Sequence, residues 1–267
     1  MTALANQIHP SATIEGEVTL GEGVTVGPNC ILDGTVGPVH IGDGSRLLGN
    51  CFVTGPTMMG CENTLWPGSA IGGPPQDVNF DPMTAGSGLI IGDRNIFREG
   101  ASVHRGKTEA PTRIGDDNYF MSNSHAGHDC VLGNRIQLAS GALLAGHVTV
   151  GDRVIFGGNA AAHQFVRIGA GAMIRGLSGA SLDVPPWCIN YEIGRIAGLN
   201  LIGMRRSGMS ESEFARRREV YRVMYRQGLS MPSVIKLLRE AGDPVAIEYA
   251  DFIESSDRGV ASGRRSS

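Results

Sequence analysis

No stretch of eighteen consecutive apolar residues occurs in the 267-residue sequence, so no membrane span is expected. The first ten residues, M-T-A-L-A-N-Q-I-H-P, lack the basic region and apolar run of a secretory signal, and a cytoplasmic protein is expected. The five cysteines show no C-x-x-C spacing and leave one unpaired. This pattern disfavours a disulfide framework or a zinc knuckle and favours reduced, buried thiols.

The chain also lacks an excess of basic residues. Its formal net charge of −3 argues against broad nonspecific binding of nucleic acid, and no nucleic-acid partner is expected. Glycine, in contrast, is abundant: the 39 glycines are about twice the usual share, without the triplet period of collagen or a low-complexity run. The composition therefore predicts many tight turns in a folded chain that is long enough for one long domain, or for one domain and a smaller one.

An aliphatic or small residue recurs at every sixth position over most of the first 190 residues. A helix cannot keep such residues on one face, because six residues are not a whole number of helical turns, whereas short strands joined by tight turns can. The longest unbroken series consists of Ile114, Phe120, Ala126, Leu132, Leu138, Leu144, Val150, Phe156, Ala162, Ile168, Ile174 and Ala180. The period predicts a stacked solenoid of short strands.

The six-residue period resembles the hexapeptide repeat of the left-handed parallel β-helix, in which three hexapeptides make one triangular coil. The fold class predicted is an all-β solenoid followed by a small α-helical domain. We expect the β-helix domain at residues 1–190, with protruding loops at about 33–40, 72–90 and 104–113. Residues 191–267 are expected to form a C-terminal helical domain with an arginine-rich helix, in which the tail from Ser255 frays.

The stretch N-S-H-A-G-H-D-C at residues 123–130 places His125, His128 and Asp129 within five positions. An imidazole titrates near neutral pH, so it can take a proton from an alcohol. An adjacent carboxylate can fix its tautomer and stabilise the imidazolium that forms. By itself the motif is weak, because a histidine-rich octapeptide is more often a surface loop or a set of satisfied core histidines.

The solenoid geometry strengthens this reading. With three hexapeptides per coil, residues eighteen apart lie on the same side, as do Ala126, Leu144 and Ala162. The side chains of His128, His147 and His163 are therefore expected at one corner of three successive coils. If no interruption skips a side, all three interruptions of the repeat leave from this same edge, which predicts a cleft there.

The period changes after residue 186. A capping box from Ser210 to Glu213 is expected to open an arginine-rich helix that Gly228 ends, and two shorter helices should follow. The first of these ends at Gly242, and Asp243 caps the second. The arginines of this segment form either a solvated helical face or a docking patch for an acidic protein or a phosphate-bearing ligand.

Further motifs distributed over nearly the whole chain are more specific than the repeat. They are Q-D at 76–77, I-G-D-R-N at 91–95, H-R-G at 104–106, H-x-x-H-D-C at 125–130, L-A-G-H at 144–147, A-H-Q-F at 162–165 and D-V-P-P at 183–186. Together they resemble the UDP-N-acetylglucosamine 3-O-acyltransferases that depend on acyl carrier protein, the LpxA family. The resemblance implies a homotrimer with active sites in the clefts between neighbouring coils.

The implied reaction is the first step of lipid A synthesis: a 3-hydroxyacyl group moves from acyl carrier protein to the 3-hydroxyl of UDP-N-acetylglucosamine. No cofactor is implied, because the donor is a phosphopantetheine thioester on the carrier protein, and no metal is implied. His128 matches the general base, Asp129 the residue that orients it, and Gly146 the residue whose N–H stabilises the oxyanion. The resemblance assigns substrate contacts to Gln76, Asp77, His125, His147, His163, Gln164, Gly176, Asn200 and Arg206, with Asn200 and Arg206 on the nucleotide side and Gly176 limiting acyl length.

Several positions depart from the family pattern. Asn79 replaces a lysine, Ile202 a glutamate, Ser207 the second of two adjacent arginines, and Arg175 a small residue beside Gly176. The loop after the H-R-G motif is also shorter. These changes leave the proton-transfer residues intact but alter contacts to the nucleotide and the acyl chain, so the chain length and the identity of the acceptor stay open.

Three alternatives remain at this point. The same residues could acylate a UDP-sugar that carries a 3-amino group, giving an amide. The chain could instead be a diverged, noncatalytic trimer that binds an acidic carrier through its arginine helix. Zinc chemistry is the third, because γ-type carbonic anhydrases share the solenoid and bind zinc through histidines.

Overall fold

Short parallel strands stack in register to form the body of the protein. The computed structural model describes residues 4–263, which form a left-handed parallel β-helix of about ten turns and a short C-terminal helical region. Each coil contributes one strand to each of three faces, and strands of successive coils pair residue by residue, as His125 with Leu143 and Ala126 with Leu144. The predicted fold class is confirmed.

The strands of the three faces are mostly two or three residues long. Face one contains Gln7–Ile8, Thr25–Val26, Arg46–Leu47, Thr64–Leu65, Ile96–Phe97, Tyr119–Phe120, Gln137–Leu138, Ile155–Phe156 and Met173–Ile174. Face two contains Phe52–Thr54, Ala70–Gly73, Ser102–His104, His125–Ala126, Leu143–Leu144, Ala161–Ala162 and Gly179–Ala180. Face three contains Thr57–Met59, Leu89–Ile91, Thr112–Ile114, Val131–Leu132, Thr149–Val150 and Arg167–Ile168.

The residues that repeat every sixth position fill the interior of the solenoid. On face two, register pairing places Leu32, Ile71 and Val103 in one column with Ala126 and its successors, as predicted. All of these are buried. Burying a Leu, Ile or Val side chain contributes about 1.5–3 kcal/mol relative to exposing it, so this column is a main source of stability.

The second and third interruptions of the repeat are loops at one corner. Residues 74–88 connect Ala70–Gly73 of face two to Leu89–Ile91 of face three, and residues 105–111 connect Ser102–His104 to Thr112–Ile114. Both loops therefore emerge between faces two and three, the edge that the repeat predicts.

The first interruption is not a protruding loop, so the loop predicted at about 33–40 is wrong. These residues belong to the long strand Ile31–Ile41, which pairs with Thr13–Leu20 around the same corner, from face two to face three. Two glycines make the close stacking possible, because a Cβ on Gly16 would lie 2.4 Å from the carbonyl carbon of Gly34. Gly16 also has a φ of +69°.

Four helices follow the β-helix: α1 (Leu201–Arg206), α2 (Glu211–Arg226), α3 (Met231–Ala241) and α4 (Pro244–Glu254). The predicted caps of the last three are confirmed. The side chain of Ser210 accepts from the N–H of Glu213, Gly242 ends α3 in the left-handed conformation, and Asp243 caps α4. Helix α1 has no counterpart in the sequence analysis.

The boundary between the two predicted domains near residue 190 stays a prediction, because the sheet continues across it. Strand Cys188–Glu192 pairs with Met173–Ile174 of face one, and Arg195–Leu199 then pairs with it antiparallel. Strand Ser262–Gly263 joins the same sheet. The expected fraying from Ser255 onward is thus wrong up to residue 263, and residues 264–267 lie outside the described range. None of the helices in residues 4–263 is both long and apolar enough to cross a membrane.

Candidate active site

His128 and Asp129 occupy the turn between faces two and three. The left-handed backbone of Asp129, with a φ of 60°, recurs one and two coils later at His147 and Phe165. Nδ1 of His128 lies 2.6 Å from Oδ2 of Asp129, and the two side chains are 15% and 4% exposed. This short contact holds the imidazole in a fixed orientation and leaves Nε2 available for a substrate proton.

The carboxylate of Asp129 is held by a second set of donors from the loop 105–111. Its Oδ1 accepts from the hydroxyl of Thr108 at 2.6 Å, from the N–H of Thr108 at 2.9 Å and from the N–H of Lys107 at 3.1 Å. Burial opposes the charged form of this carboxyl, but the hydrogen bonds from Thr108 and His128 outweigh it and hold the pKa of Asp129 below its ordinary value. Asp129 is therefore an anion at neutral pH.

His147 lies beside the pair, one coil further along. Its Nε2 is 3.7 Å from Oδ2 of Asp129, and its ring stacks on that of Phe165 with centroids 4.4 Å apart. Burial lowers the pKa of His147, and Asp129 partly opposes this shift. His147 is thus a neutral imidazole at the corner where the eighteen-residue spacing predicts it.

His125 lies in the same coil as His128, on the wall of face two. Its Nδ1 is 2.9 Å from the hydroxyl of Ser102, and its ring meets that of His104 edge-on with centroids 5.1 Å apart. Burial lowers the pKa of His125 to about 4, helped by His104 and His128. His125 is consequently neutral and serves as a hydrogen-bonding group.

A pH-dependent stability follows from His125. Its ordinary pKa is 6.5 and its folded pKa about 4, so between these values the unfolded chain binds a proton that the folded chain does not. The free energy of unfolding is therefore expected to fall as the pH is lowered through this range. Urea midpoints of the wild type and of His125→Asn, compared at about pH 7.5 and about pH 5, measure the effect. Equal pH dependence in both proteins would refute it.

His125 and His128 line a cleft of about 700 Å³ along face two and its corner. Its walls include five of the predicted site residues, namely Gln76, His125, His128, Gly146 and Gln164. Asp77 lies beside Gln76 and forms an ion pair with Lys107, whose Nζ is 2.6 Å from Oδ2 of Asp77. The hydrogen bond from Lys107 lowers the pKa of Asp77.

Gly146 lies directly beside the imidazole of His128. A Cβ built on it would lie 2.8 Å from Cε1 and 2.9 Å from Nε2 of His128. Among the described residues, its N–H has no hydrogen-bond partner within the protein. The N–H is therefore free to donate to an oxygen bound next to the histidine.

The other seven predicted residues lie outside the lining of this cleft. Asp77, Asp129 and His147 lie beside it, in contact with Lys107, His128 and Asp129 respectively, and the remaining four lie further along the chain. His163 contacts the carbonyl of Gln164 through Nδ1 at 3.2 Å, and Gly176 lies at the corner between faces one and two. Asn200 and Arg206 line a second cleft of about 410 Å³. The 5% exposed side chain of Asn200 accepts from the N–H of Gly203, the cap of α1, and donates to the carbonyl of Gly171.

Three residues at the site form a possible metal ligand set: His128, Asp129 and His147 each offer one ligand atom, and these atoms all lie within 4.8 Å of one another. Ligand atoms around tetrahedral zinc are separated by about 3.3 Å, as follows from bonds of about 2.0 Å. The 2.6 Å between His128 and Asp129 is instead the length of a hydrogen bond. The pair therefore fits proton transfer better than zinc coordination.

Sequence reasoning missed several residues of the site. Ser102 and Asn123 line the cleft, and Lys107 and Thr108 bind Asp77 and Asp129. Ser102 lies in the strand column of His125 and could have been found from the eighteen-residue spacing once the loop lengths were known. Lys107 and Thr108 lie in an irregular loop, where no period predicts side-chain positions.

Comparison with known proteins gives full-length relatives. The chain is 38% identical over 271 aligned positions, 99% of this chain and 98% of the relative, to acyl-(acyl-carrier-protein)–UDP-N-acetylglucosamine O-acyltransferase of Sinorhizobium fredii. It is 39% identical to the protein of the same name from Agrobacterium fabrum, with 98% of each chain covered. A family model described as Udp N-acetylglucosamine O-acyltransferase, Domain 2, matches residues 183–261.

Solved structures are also similar to this chain over nearly its full length. The UDP-N-acetylglucosamine acyltransferase of Campylobacter jejuni superposes with a TM-score of 0.89 at 33% identity, covering 97% of this chain and 100% of the other. The UDP-N-acetylglucosamine O-acyltransferase of Moraxella catarrhalis gives a TM-score of 0.88 at 32% identity, covering 95% and 99%. The likeness therefore extends over both the β-helix and the helices.

Proposed function

This chain belongs to the family of acyl-carrier-protein-dependent UDP-N-acetylglucosamine O-acyltransferases, and from that premise we propose its reaction and the roles of its residues. It transfers a 3-hydroxyacyl group from acyl carrier protein to the 3-hydroxyl of UDP-N-acetylglucosamine, the first step of lipid A synthesis. The observation that carries the catalytic assignment is the 2.6 Å contact between His128 and Asp129 on the wall of the main cleft, with Gly146 beside the ring.

His128 acts as the general base. Nε2 takes the proton of the sugar 3-hydroxyl while its oxygen attacks the thioester carbonyl, and Asp129 stabilises the imidazolium that forms. The N–H of Gly146 donates to the oxygen of the tetrahedral intermediate, where negative charge develops. When the intermediate collapses, the C–S bond breaks and His128 returns the proton to the leaving thiolate. Atoms and charge balance without a cofactor or a metal.

The sugar lies against the walls of the same cleft. Asp77 and His125 offer an anionic acceptor and a neutral imidazole close to His128, and Gln76, His147 and Gln164 add polar groups around them. His163 extends the histidine ladder by one coil. Asn200 and Arg206 serve the nucleotide side from the second cleft, and Gly176 leaves room for the end of the acyl chain.

Acyl carrier protein, an acidic partner, docks on the arginine-rich helix. Part of the predicted patch is already paired within the chain: Arg216 binds Asp243 and Glu219, and Arg217, 6% exposed, binds Glu213 and Glu248. The exposed arginines of α2 left for a partner are Arg218, Arg222 and Arg226, and Arg205 on α1 is exposed as well. The docking surface is thus smaller than the sequence implies.

A homotrimer completes the active site. Leu143 on the outside of face two is 48% exposed, and Phe165 and Leu177 at the corners are 51% and 85% exposed. A neighbouring solenoid against this face would cover these side chains and close the cleft. The assembly works in the cytoplasm, where the carrier protein and the sugar nucleotide are soluble.

N-acylation of a UDP-sugar with a 3-amino group is the second candidate. Three residues that depart from the family pattern, Asn79, Ile202 and Ser207, offer no charged group to the phosphates of the nucleotide. Ile202 is 63% exposed, and the hydroxyl of Ser207 donates to the carbonyl of Met204 within α1 and its cap. The N–H of Asn79 donates to Asp77. A base that deprotonates an alcohol can equally assist attack by an amine.

The test is turnover of the purified protein with UDP-N-acetylglucosamine and a panel of hydroxyacyl carrier-protein donors, followed by mass spectrometry of the sugar nucleotide. We expect a mass gain of one hydroxyacyl group, and the productive donor identifies the chain length. The 3-amino analogue with the same donor is the comparison. Acylation of the amino sugar alone would overturn the O-acyl assignment, and no product from either acceptor would favour the noncatalytic paralogue.

A further inference from the structure

The loop 105–111 contacts two residues of the site: Asp77, which we propose binds the sugar, and Asp129, which contacts the proposed base. Arg105 anchors it: this residue is 1% exposed, and its guanidinium donates to the carbonyl of Gly72 in the strand Ala70–Gly73 and to those of Pro82 and Thr84 in the loop 74–88. Lys107 then reaches Asp77 with its ammonium group. The contacts of Arg105 and Lys107 therefore also restrict the position of the next residue, Thr108.

Thr108 makes the shortest contact to the free oxygen of the catalytic carboxylate. Its hydroxyl lies 2.6 Å from Oδ1 of Asp129, and its N–H lies 2.9 Å from the same atom. The other oxygen, Oδ2, contacts His128 at 2.6 Å. The two oxygens of a carboxylate are rigidly linked, so fixing Oδ1 also fixes the direction from which Oδ2 meets the imidazole.

The backbone of Asp129 needs this support. Its φ of 60° is in the left-handed region, and its N–H donates to the hydroxyl of Thr112 at 2.8 Å. These features place the Cα, but they leave rotation about the side-chain torsions open. Hydrogen bonds to Oδ1 remove that freedom, and among them only the hydroxyl of Thr108 is a side-chain group that substitution can delete without moving the backbone.

We propose that Thr108 is a positioning residue of the acyl transfer: its hydroxyl holds the carboxylate of Asp129 in the orientation that aligns His128 with the sugar hydroxyl. The proposal rests on the proposed function for its kinetic consequence, whereas its geometric consequence is independent of any substrate. Thr108 does not contact the reacting atoms, so it acts through Asp129 alone.

The kinetic consequence is a change in kcat with little change in KM. Thr108→Val keeps the shape and both backbone N–H donors but removes the hydroxyl, and we expect kcat to fall about ten- to a hundredfold, the effect of one charge-assisted hydrogen bond. KM for the sugar nucleotide should change less than about twofold, since Asp77 and His125 are untouched. Thr108→Ser keeps the hydroxyl and should retain most of the wild-type rate.

The geometric consequence is a change in the titration of His128. Without the hydroxyl, Oδ2 of Asp129 is held less firmly against Nδ1 of His128, so the carboxylate should stabilise the imidazolium less. The groups around this pair are His147 in the next coil, His125 and His104 on face two, and Lys107 and Asp77 at the loops. All of them are identical in the Thr108 variants, so a shift isolates the hydroxyl.

The experiment is nuclear magnetic resonance of protein labelled at histidine Cε1, recorded from acidic to alkaline pH without substrate. Only seven histidines contribute signals, and His128→Gln assigns the relevant one. We expect the midpoint of His128 to be lower by about half a unit or more in Thr108→Val than in the wild type, and to be unchanged in Thr108→Ser. Thr149→Val, on an exposed strand position of face three, is the matched control, and thermal unfolding verifies that each variant folds.

A lowered midpoint in the valine variant and a wild-type midpoint in the serine variant support the proposal. An unchanged or raised midpoint in Thr108→Val overturns it, whatever the turnover. If the wild type shows no turnover with either acceptor, the proposed function fails, and the titration still decides the role of Thr108. If the wild type is active and Thr108→Val turns over at the same rate, the positioning role fails while the function stands.

Discussion

Replacing His128 by alanine is expected to lower kcat for acyl transfer by a factor of about 10² to 10⁴, the usual contribution of a general base. The physical reason is the loss of the only imidazole that Asp129 holds at hydrogen-bond distance, 2.6 Å, on the wall of the cleft. Without it, the proton of the sugar hydroxyl has no fixed acceptor, and the attacking oxygen stays a neutral, weak nucleophile. Steady-state kinetics with a saturating hydroxyacyl carrier-protein donor measures the change.

The variant should keep its fold and its assembly state. His128 lies on a turn outside the column of buried aliphatic residues, so its removal costs no core packing. His9→Ala is the matched control, because that histidine is exposed on the first coil, where it contacts Ser11. Gel filtration and circular dichroism of both variants establish that the loss is catalytic.

Turnover above about a tenth of the wild-type rate would contradict the assignment of His128 as base. The structure then identifies the next candidate. Nε2 of His147 is 3.7 Å from the same carboxylate oxygen, so His147→Ala would have to show the larger loss. The double variant distinguishes these cases. If either His128 or His147 can serve as the base, activity is lost only when both are replaced.

The coils could be predicted from the sequence because each one repeats the same physical requirement. One inward position in six must be small or aliphatic, and the column through Val103, Ala126 and Leu144 follows from counting by eighteen once the loops are assigned to one edge. The same count placed His128 and His147 at one corner. Helix caps were predictable as well, since a side-chain oxygen at Ser210 or Asp243 satisfies free N–H groups in any helix.

Other features depend on contacts that no period encodes. The resemblance assigns Asn200 to the nucleotide side, but no period predicts that its side chain also caps α1 and donates to the carbonyl of Gly171. The corner at residues 33–40 is a strand because Gly16 and Gly34 allow two backbones to stack around it. Thr108 became visible as a partner of Asp129 only when the loop was placed in three dimensions.

Gly146→Ala is the second substitution with a large expected effect, because it adds a single carbon at the most crowded point of the site. The new Cβ would lie 2.8 Å from Cε1 and 2.9 Å from Nε2 of His128, closer than such atoms approach in folded proteins. The imidazole must move, and it cannot do so without weakening its contact to Asp129. We expect kcat to fall by about two orders of magnitude, as a misplacement of about 1 Å costs in other enzymes.

The turn itself accepts a side chain at this position, so the loss will not come from unfolding. His128 occupies the same turn position one coil earlier and Gln164 occupies it one coil later. Gly198→Ala is the control, since a Cβ there meets nothing within 4 Å. The alanine variant keeps the N–H of residue 146, so a deficit reports on the ring of His128 and not on loss of the oxyanion donor. If kcat stays within about threefold of the wild type, the position of the ring does not limit the rate. In that case the mechanism would no longer depend on the exact position of the His128 ring, although His128 could still be the base.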